Sequence, residues 1–561
     1  MTDTARRVIL RPVRLLASAA AFVALNVVTA SAHAEEPWSD ADPPAPPARN
    51  PIGKEYGVRA AAEYRANGLY INPISLNTAE GRRVSWIEHR LRLDATLDWK
   101  DTTRLVVSSD VLDGTLWGDN GYLGGSGPQP NSGTNINTKN PNGAAPCVTL
   151  RSGDPLLPKS YGYGLCSQES VKIRRLYGEV VLPIGMLRIG RQPMNVGSGV
   201  QANDGDGRTN RFGFSRAGNS VDRILFATKP LEAFKPPGER SKSQTEGFFV
   251  VAGYDRLVGD DPQLFADDVH QVFSSVRWLA PEHALGRDAL VAATYVFRWD
   301  QQYNTRLNSM GARAMSRFGN WYAGFDAALN VGTTREISAA YGLISNDPTV
   351  DQTVRSGGAR AVVRYDRPMY TAYMEVDYAS GSDDPTPRHP LTQFTFAEDS
   401  NVGLLLFKHV LAYQSARAAA AGINLLKNLG ATTYPAEAVA TRGAFTNGMA
   451  LFPQFDFHPH PKILFRGGAL FAWAATPAID PVDSLRAKRG VYIDNALQNF
   501  AGGKPARYYG TELDGRFQWR FEEHFLFDLE GAILFPGQAL ANADGIAVRS
   551  VLVQGRTTFL F

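Results

Sequence analysis

Residues 508–561 constrain the fold more than any other stretch of the chain. Along 508–521 the odd positions Tyr509, Thr511, Leu513, Phe517, Trp519 and Phe521 are mostly large and apolar. The even ones, Glu512, Asp514, Arg516, Gln518 and Arg520, are polar or charged. After Glu522–His524 the alternation resumes, with Phe525, Phe527, Leu529, Ile533 and Phe535 on one face and Asp528 and Glu530 on the other. A last strand, about 547–561, ends the chain on an aromatic. Successive side chains of a strand point to opposite faces. A half-buried soluble sheet has the same alternation, so one strand decides nothing. Two further features decide: the pattern runs to the last residue, and the chain opens on a secretory signal. Strands of about 10 residues with alternating faces, short turns on one side and long loops on the other describe a transmembrane antiparallel β-barrel.

Residues 1–34 form the signal peptide. Arg6, Arg7, Arg11 and Arg14 make its basic region, Leu15–Val28 its apolar core and Ala32-His33-Ala34 its cleavage site. The twin arginines at 6 and 7 are discounted, because that route carries folded proteins and a barrel must cross the periplasm unfolded. Residues 35–55 are a Pro/Ala-rich periplasmic linker, too short to plug a lumen. Residues 56–561 are left for the barrel, which belongs in the outer membrane of a Gram-negative bacterium.

Composition narrows the alternatives. A formal net charge of +3 over 561 residues is too small to argue for nucleic acid. Mean hydropathy is −0.23, and the N-terminus holds the only long apolar run. A membrane-crossing helix needs about 20 apolar residues, so a helical membrane protein is excluded. The basic residues are 45 arginines and 13 lysines, and arginine's fixed fork suits pairing with carboxylates.

Strands are predicted near 56–66, 84–99, 103–113, 171–182, 187–192, 221–228, 245–255, 269–279, 289–300, 309–318, 321–331, 354–366, 370–379, 447–457, 462–475, 508–521, 525–535 and 547–561. That is about 18, with 16 or 20 as alternatives. With a periplasmic N-terminus, long loops follow the odd strands, and only the 229–244 connection breaks the rule. Parity makes 380–446 a single outer loop carrying a short helix, near 415–426. Trp99, Trp321, Tyr370 and Phe525 fall at periplasmic strand ends and Trp299 and Tyr378 at outer ends, as interfacial girdles do.

Two segments carry a family likeness. Tyr509-Gly510-Thr511-Glu512-Leu513-Asp514 with Phe535-Pro536-Gly537 resembles the last strands of alginate-export-type, porin-like outer-membrane barrels. Arg175-Leu176-Tyr177 through Gly185-Met186-Leu187-Arg188-Ile189-Gly190-Arg191-Gln192 resembles the family's strand–turn–strand ending in Gly-Arg-Gln. The resemblance implies an 18-stranded barrel with a charged lumen that conducts polysaccharide or small solutes. The chain departs from it in the long 114–170 and 380–446 insertions and in a charged face of mixed sign, so the substrate stays open.

Charges out of phase with the apolar face are the pore-lining candidates. They are Arg59, Glu63, Arg90, Arg92, Asp94, Arg175, Glu179, Arg188, Arg298, Asp326, Arg360, Arg364, Glu375, Asp377, Arg466, Glu512, Asp514, Arg516, Arg520, Asp528, Glu530 and Arg556. At the bilayer midplane a lipid-facing Arg or Lys costs about 2–4 kcal/mol, which drives such residues inward. Once there they act as an electrostatic filter or as a ladder of cross-strand ion pairs. Arg90, Arg92, Arg175 and Arg188 from the first strands and Arg516, Arg520 and Arg556 from the last meet on one wall if the barrel closes, which predicts a mild anion preference.

Cys147 and Cys166 are expected to form a disulfide in the oxidising compartment, contributing on the order of 3 kcal/mol. Asn203-Asp204-Gly205-Asp206-Gly207 lacks the spacing of a calcium loop and reads as a glycine-rich loop that folds inward and narrows the pore. His458-Pro459-His460-Pro461 reads as a periplasmic turn. The sequence contains none of the Gly-x-Ser-x-Gly, His-Glu-x-x-His or phosphate-loop motifs, so no enzyme, cofactor or metal is expected. The expected partners are outer-membrane lipid, the barrel-assembly machinery and a small solute or polysaccharide. A porin-like channel for small anionic or neutral solutes or glycans leads, ahead of a dedicated exopolysaccharide exporter, a barrel enzyme and a surface adhesin.

Overall fold

The computed structural model describes residues 50–561 apart from 53–54, 77–82, 101, 119–146, 149–160, 163–168, 195–196, 203–209, 216–219, 242, 244–245, 258–268, 285, 302, 430–439 and 489–496. The signal peptide 1–34, most of the 35–55 linker and the expected Cys147–Cys166 disulfide lie outside the described residues.

Eighteen antiparallel strands close into one barrel. In chain order they are β1 Tyr56–Asn72, β2 Val84–Trp99, β3 Thr103–Gly118, β4 Glu169–Leu182, β5 Gly185–Pro193, β6 Ser220–Thr228, β7 Gly247–Leu257, β8 His270–His283 and β9 Gly286–Asp300. They continue with β10 Thr305–Phe318, β11 Trp321–Thr334, β12 Gln352–Asp366, β13 Tyr370–Ala379, β14 Gly448–His460, β15 Ile463–Trp473, β16 Tyr508–Phe521, β17 Phe525–Pro536 and β18 Ser550–Leu560. Each strand pairs with its sequence neighbour, and β18 returns to β1 with a register from Glu63↔Leu560 to Asn72↔Val551. No helix of the described residues is long and apolar enough to cross a membrane. Closure of the barrel lets each strand bond a neighbour on both sides.

The predicted strands are all present, and several run further outward than expected. Residues 67–72 extend β1 because they keep pairing with β18. The parity of long outer and short periplasmic connections holds, and the long 229–246 connection lies on the periplasmic side. There Pro230–Ala233 forms a helical turn, and Arg240 Nη1 donates to the Pro183 carbonyl of the adjacent turn at 2.7 Å. His458–His460 are the last residues of β14, and the periplasmic turn itself is Pro461–Lys462, whose Lys462 amide donates to His460 Nδ1 at 3.1 Å. Trp99, Trp321 and Tyr370 at the periplasmic ends and Tyr378 toward the outer ends are exposed on the lipid face.

The described residues of the 380–446 insertion add no strand to the barrel. Residues 401–411 turn into a wide π-type helical segment, Leu406–Leu411, which leads into a helix, Ala412–Asn428. Two further outer loops also carry helices, so the described outer loops hold α1 Glu336–Ser345, α2 Ala412–Asn428 and α3 Pro481–Lys488. They pack against one another outside the strands. The inserted segment fills the outer half of the barrel with apolar side chains. Val402, Leu404, Leu405, Phe407 and Phe445 pack against inward-facing Ile71, Trp86, Phe452, Leu470, Leu534 and Leu552 of the wall.

Candidate functional site

Register decides which charges face the interior. Arg59 pairs with Asp98 at 3.3 Å. Glu63 receives Arg90 at 2.6 Å and Arg65 at 3.0 Å. Arg92 grips Asp110 bidentately at 2.7 and 2.9 Å. Asp94 on β2 and Arg175 on β4 both lie opposite Ser108 of β3. Arg188 donates to Glu179 at 2.6 Å. Across the barrel Arg360 bonds Asp377 at 2.7 Å and forms an ion pair with Glu375 at 3.2 Å, and Arg364 meets Asp366 at 3.0 Å. Arg516 and Arg556 share Asp528 at 2.8 and 3.0 Å. Glu512 and Asp514 are buried. Arg520 lies opposite Leu526 at the periplasmic end of β16 and is exposed.

Simple alternation misses Arg174. A β-bulge opposite Ser108 and Ser109 resets the phase, so Arg174 and Arg175 both turn inward. Arg174 becomes one of the largest fully buried side chains, with Nε on Asp110 at 2.7 Å. Asp110, Arg211 and Arg223 are absent from the candidate set as well. Arg223 closes a bidentate pair with Asp255 at 2.6 and 2.8 Å.

Two segments cross the interior, as expected for the glycine-rich loop after β5. The Ser198 amide and hydroxyl donate to Asp326 of β11 at 2.8 and 3.0 Å. Arg211 reaches Asp456 of β14 at 2.9 Å, and Arg466 of β15 bonds the same carboxylate and the Arg211 carbonyl. The Gly213 amide donates to Glu530 of β17 at 2.8 Å, and the Arg65 guanidinium lies 3.6 Å above the Phe214 ring. The loop is therefore tied to opposite sides of the barrel. Its 203–209 portion lies outside the described residues.

The second segment belongs to the 380–446 insertion. Both carboxylate oxygens of Glu512 accept backbone N–H groups, from Leu404 and Leu405 at 2.7 Å and from Leu406 at 2.6 Å. The two segments touch where the Ser400 hydroxyl donates to the Ser198 carbonyl at 3.0 Å. Gly199 has φ +93 and would push a Cβ into Ser400, so only glycine allows this approach.

The wall of β8–β10 has a different character. Arg298 donates twice to the neutral amide oxygen of Gln271, at 3.2 and 3.3 Å. Arg277 donates to the Ser275 hydroxyl at 3.4 Å. With Arg313, Thr294, Gln201 and Asp326, Arg277 lines a small cavity between this wall and the crossing loop. Among the described inward-facing residues of β8–β11, arginines outnumber acids.

The sequence profile of the alginate export family matches residues 166–554. No curated protein matches the chain. Among solved structures, OccK9 (OpdG) of Pseudomonas aeruginosa is similar at 11% identity and a TM-score of 0.46, over 90% of this chain and 98% of its own. OccAB1 of Acinetobacter baumannii is similar at 8% identity and 0.45, over 90% and 96%. OccK2 (OpdF) of P. aeruginosa in complex with glucuronate is similar at 9% identity and 0.43, over 90% and 98%. A profile match over most of the chain, on an 18-stranded outer-membrane barrel, places this protein in the alginate export family.

Proposed function

We propose that the protein is an outer-membrane channel that passes small anionic or neutral solutes or short glycans, and that it is not an enzyme. The observation that carries this reading is an arginine-lined wall facing a loop tied across the lumen. Arg277 and Arg313 beside Asp326 offer forked donors to a carboxylate or to sugar hydroxyls. Low-dielectric walls focus the field of such a surface. The remaining expected pore-lining charges serve this path as its scaffold. Export through the signal peptide and insertion by the barrel-assembly machinery complete the reading, as does a Cys147–Cys166 disulfide in the outer loop.

Family membership favours a second reading, a dedicated exopolysaccharide exporter. The two segments bonded across the interior favour small solutes over a threading polymer. Flux into proteoliposomes separates the two. Glucuronate and glucose should enter and long alginate chains should not. Polymer passage at a comparable rate, or no flux of either small solute, contradicts the proposal.

A further inference from the structure

We propose that the arginine row inside the periplasmic mouth of β1–β5 binds the chain's own acidic N-terminal segment, residues 35–48. Charges of alternating sign make up that row. Arg59 of β1 meets Asp98 of β2 at 3.3 Å. Arg104 of β3 meets Asp98 at 3.0 Å and Glu179 of β4 at 3.5 Å. Arg188 of β5 meets Glu179 at 2.6 Å. Each lies near the periplasmic end of its strand. Exposure divides them by sign. The Asp98 and Glu179 side chains are 0% and 5% exposed, whereas Arg59, Arg104 and Arg188 are 27%, 34% and 28% exposed. The carboxylates sit behind a larger number of guanidiniums, so the face toward water is positive.

The start of the described chain lies beside this row. Asn50–Ile52 is a short strand antiparallel to Tyr56–Val58 of β1. There β2 takes the other edge of β1, with Tyr56 opposite Trp99. Strand β18 stops short of this level, because Phe561 exchanges backbone hydrogen bonds with Ala62 at 2.9 and 3.0 Å. The short strand therefore occupies the wall beneath Phe561, and its direction aims the residues before Asn50 at the end of β18. With the wall taken, the lipid side and the lumen side remain. Residues 35–48 carry Glu35, Glu36, Asp40 and Asp42 and neither lysine nor arginine. Acyl chains offer these carboxylates no donor, whereas the lumen side offers guanidiniums whose fork suits them.

The segment has the reach. In the extended form that Pro43-Pro44-Ala45-Pro46-Pro47 favours, residues 35–49 span roughly 46 Å at about 3.1 Å each. From β1 to β5 the row runs roughly 19 Å, at about 4.8 Å per strand. The segment is too short to plug the lumen but long enough to lie along one side of its mouth. Its tether holds the acids at a high effective concentration beside the row, so individually weak surface pairs suffice. Bound there, the segment shields the positive face of the mouth. This binding rests on cleavage after Ala34, which the intact mass of the purified barrel checks.

Photo-crosslinking of the mature barrel in liposomes tests the contact without any measurement of flux. Benzoylphenylalanine in place of Trp38 should crosslink to peptides from the periplasmic ends of β3–β5, as mapped by mass spectrometry. Glu35→Gln, Glu36→Gln, Asp40→Asn and Asp42→Asn together should lower the yield roughly 5-fold. Salt at about 1 M, where screening shortens to about 3 Å, should do the same. The substituted residues precede the first strand, so the variant keeps the barrel's pairing, and heat-modifiable gel migration confirms its fold. Crosslinks made mainly to lipid or to a second copy of the chain would overturn the proposal. So would a yield that stays unchanged in the neutral variant or at high salt.

Discussion

Arg466 and Arg298 both point into the barrel, yet their surroundings differ. Arg466 is buried, bonded to both oxygens of Asp456, and shares that acid with Arg211 of the crossing loop. Arg298 is half-buried and donates to a glutamine. The same contrast extends along the wall. On β12–β18 and β1–β4 guanidinium and carboxylate groups interlock across strands, and the crossing segments are bonded into them. On β8–β10 Arg298 and Arg277 donate to the neutral oxygens of Gln271 and Ser275, and Arg313 stands opposite Asp326, beside a cavity. Buried ion pairs fix geometry, whereas partly exposed arginines on neutral supports keep their field available to a solute.

Removing an acid from the interlocked side should have the largest effect. Asp456→Ala leaves two buried guanidinium groups around an empty place, and breaking a buried pair in this way costs about 3–5 kcal/mol. The urea midpoint for loss of the heat-modifiable form should fall accordingly, while Arg298→Gln should cost less than about 1 kcal/mol. Equal losses on the two sides would break the comparison.

Asp480 shows what happens to a buried acid beside another acid. It caps α3, accepting the Val482 and Asp483 amides at 2.9 and 3.1 Å. Burial, reinforced by the charge of Asp483, pushes its carboxyl up to about 7. The folded form therefore holds a proton that the unfolded form releases near pH 4. Its contribution is complete below about pH 4 and is lost as pH rises through 7, amounting to at most about 4 kcal/mol. Amide exchange in α3 should speed up over that window, and Asp480→Asn should flatten the dependence. Exchange that slows with rising pH, after correction for intrinsic rates, would count against this assignment.

A smaller effect is expected at Glu512. Glu512→Gln replaces one of the accepting oxygens beneath Leu404–Leu406 with a donor and should loosen the inserted segment by about 2 kcal/mol. Single-channel recordings should then show higher and noisier conductance. Unchanged traces would mean that the apolar core alone holds the segment.

Much of the architecture was legible in the sequence because alternation with period two runs through long stretches of the barrel strands. Loop parity identified the 380–446 insertion as one outer loop. The filling of the lumen was not foreseen, although a trace of it was visible. Ala532-Ile533-Leu534-Phe535 is apolar on both faces, the mark of a strand covered on both sides, and Leu534 does pack on the inserted core. Arg174 escaped because a bulge cannot be read from alternation. The filter expected from Arg90, Arg92, Arg516 and Arg556 is on one wall, as β18–β1–β2 closure requires. Its arginines are matched there by Glu63, Asp110 and Asp528, partners that only register reveals. The proposed channel reading places the field-bearing wall at Arg277, Arg298 and Arg313, of which alternation singles out only Arg298.

Reversal potential in planar bilayers under a KCl gradient tests the division between the two walls most directly. Wild-type protein should prefer anions, less so at high salt as screening shortens to about 8 Å at physiological strength and further above it. Arg277→Glu with Arg298→Glu should move the reversal potential toward cations while leaving the folded barrel intact. A cation preference in the wild type, or the same reversal potential in the folded variant, would contradict the assignment of selectivity to β8–β10.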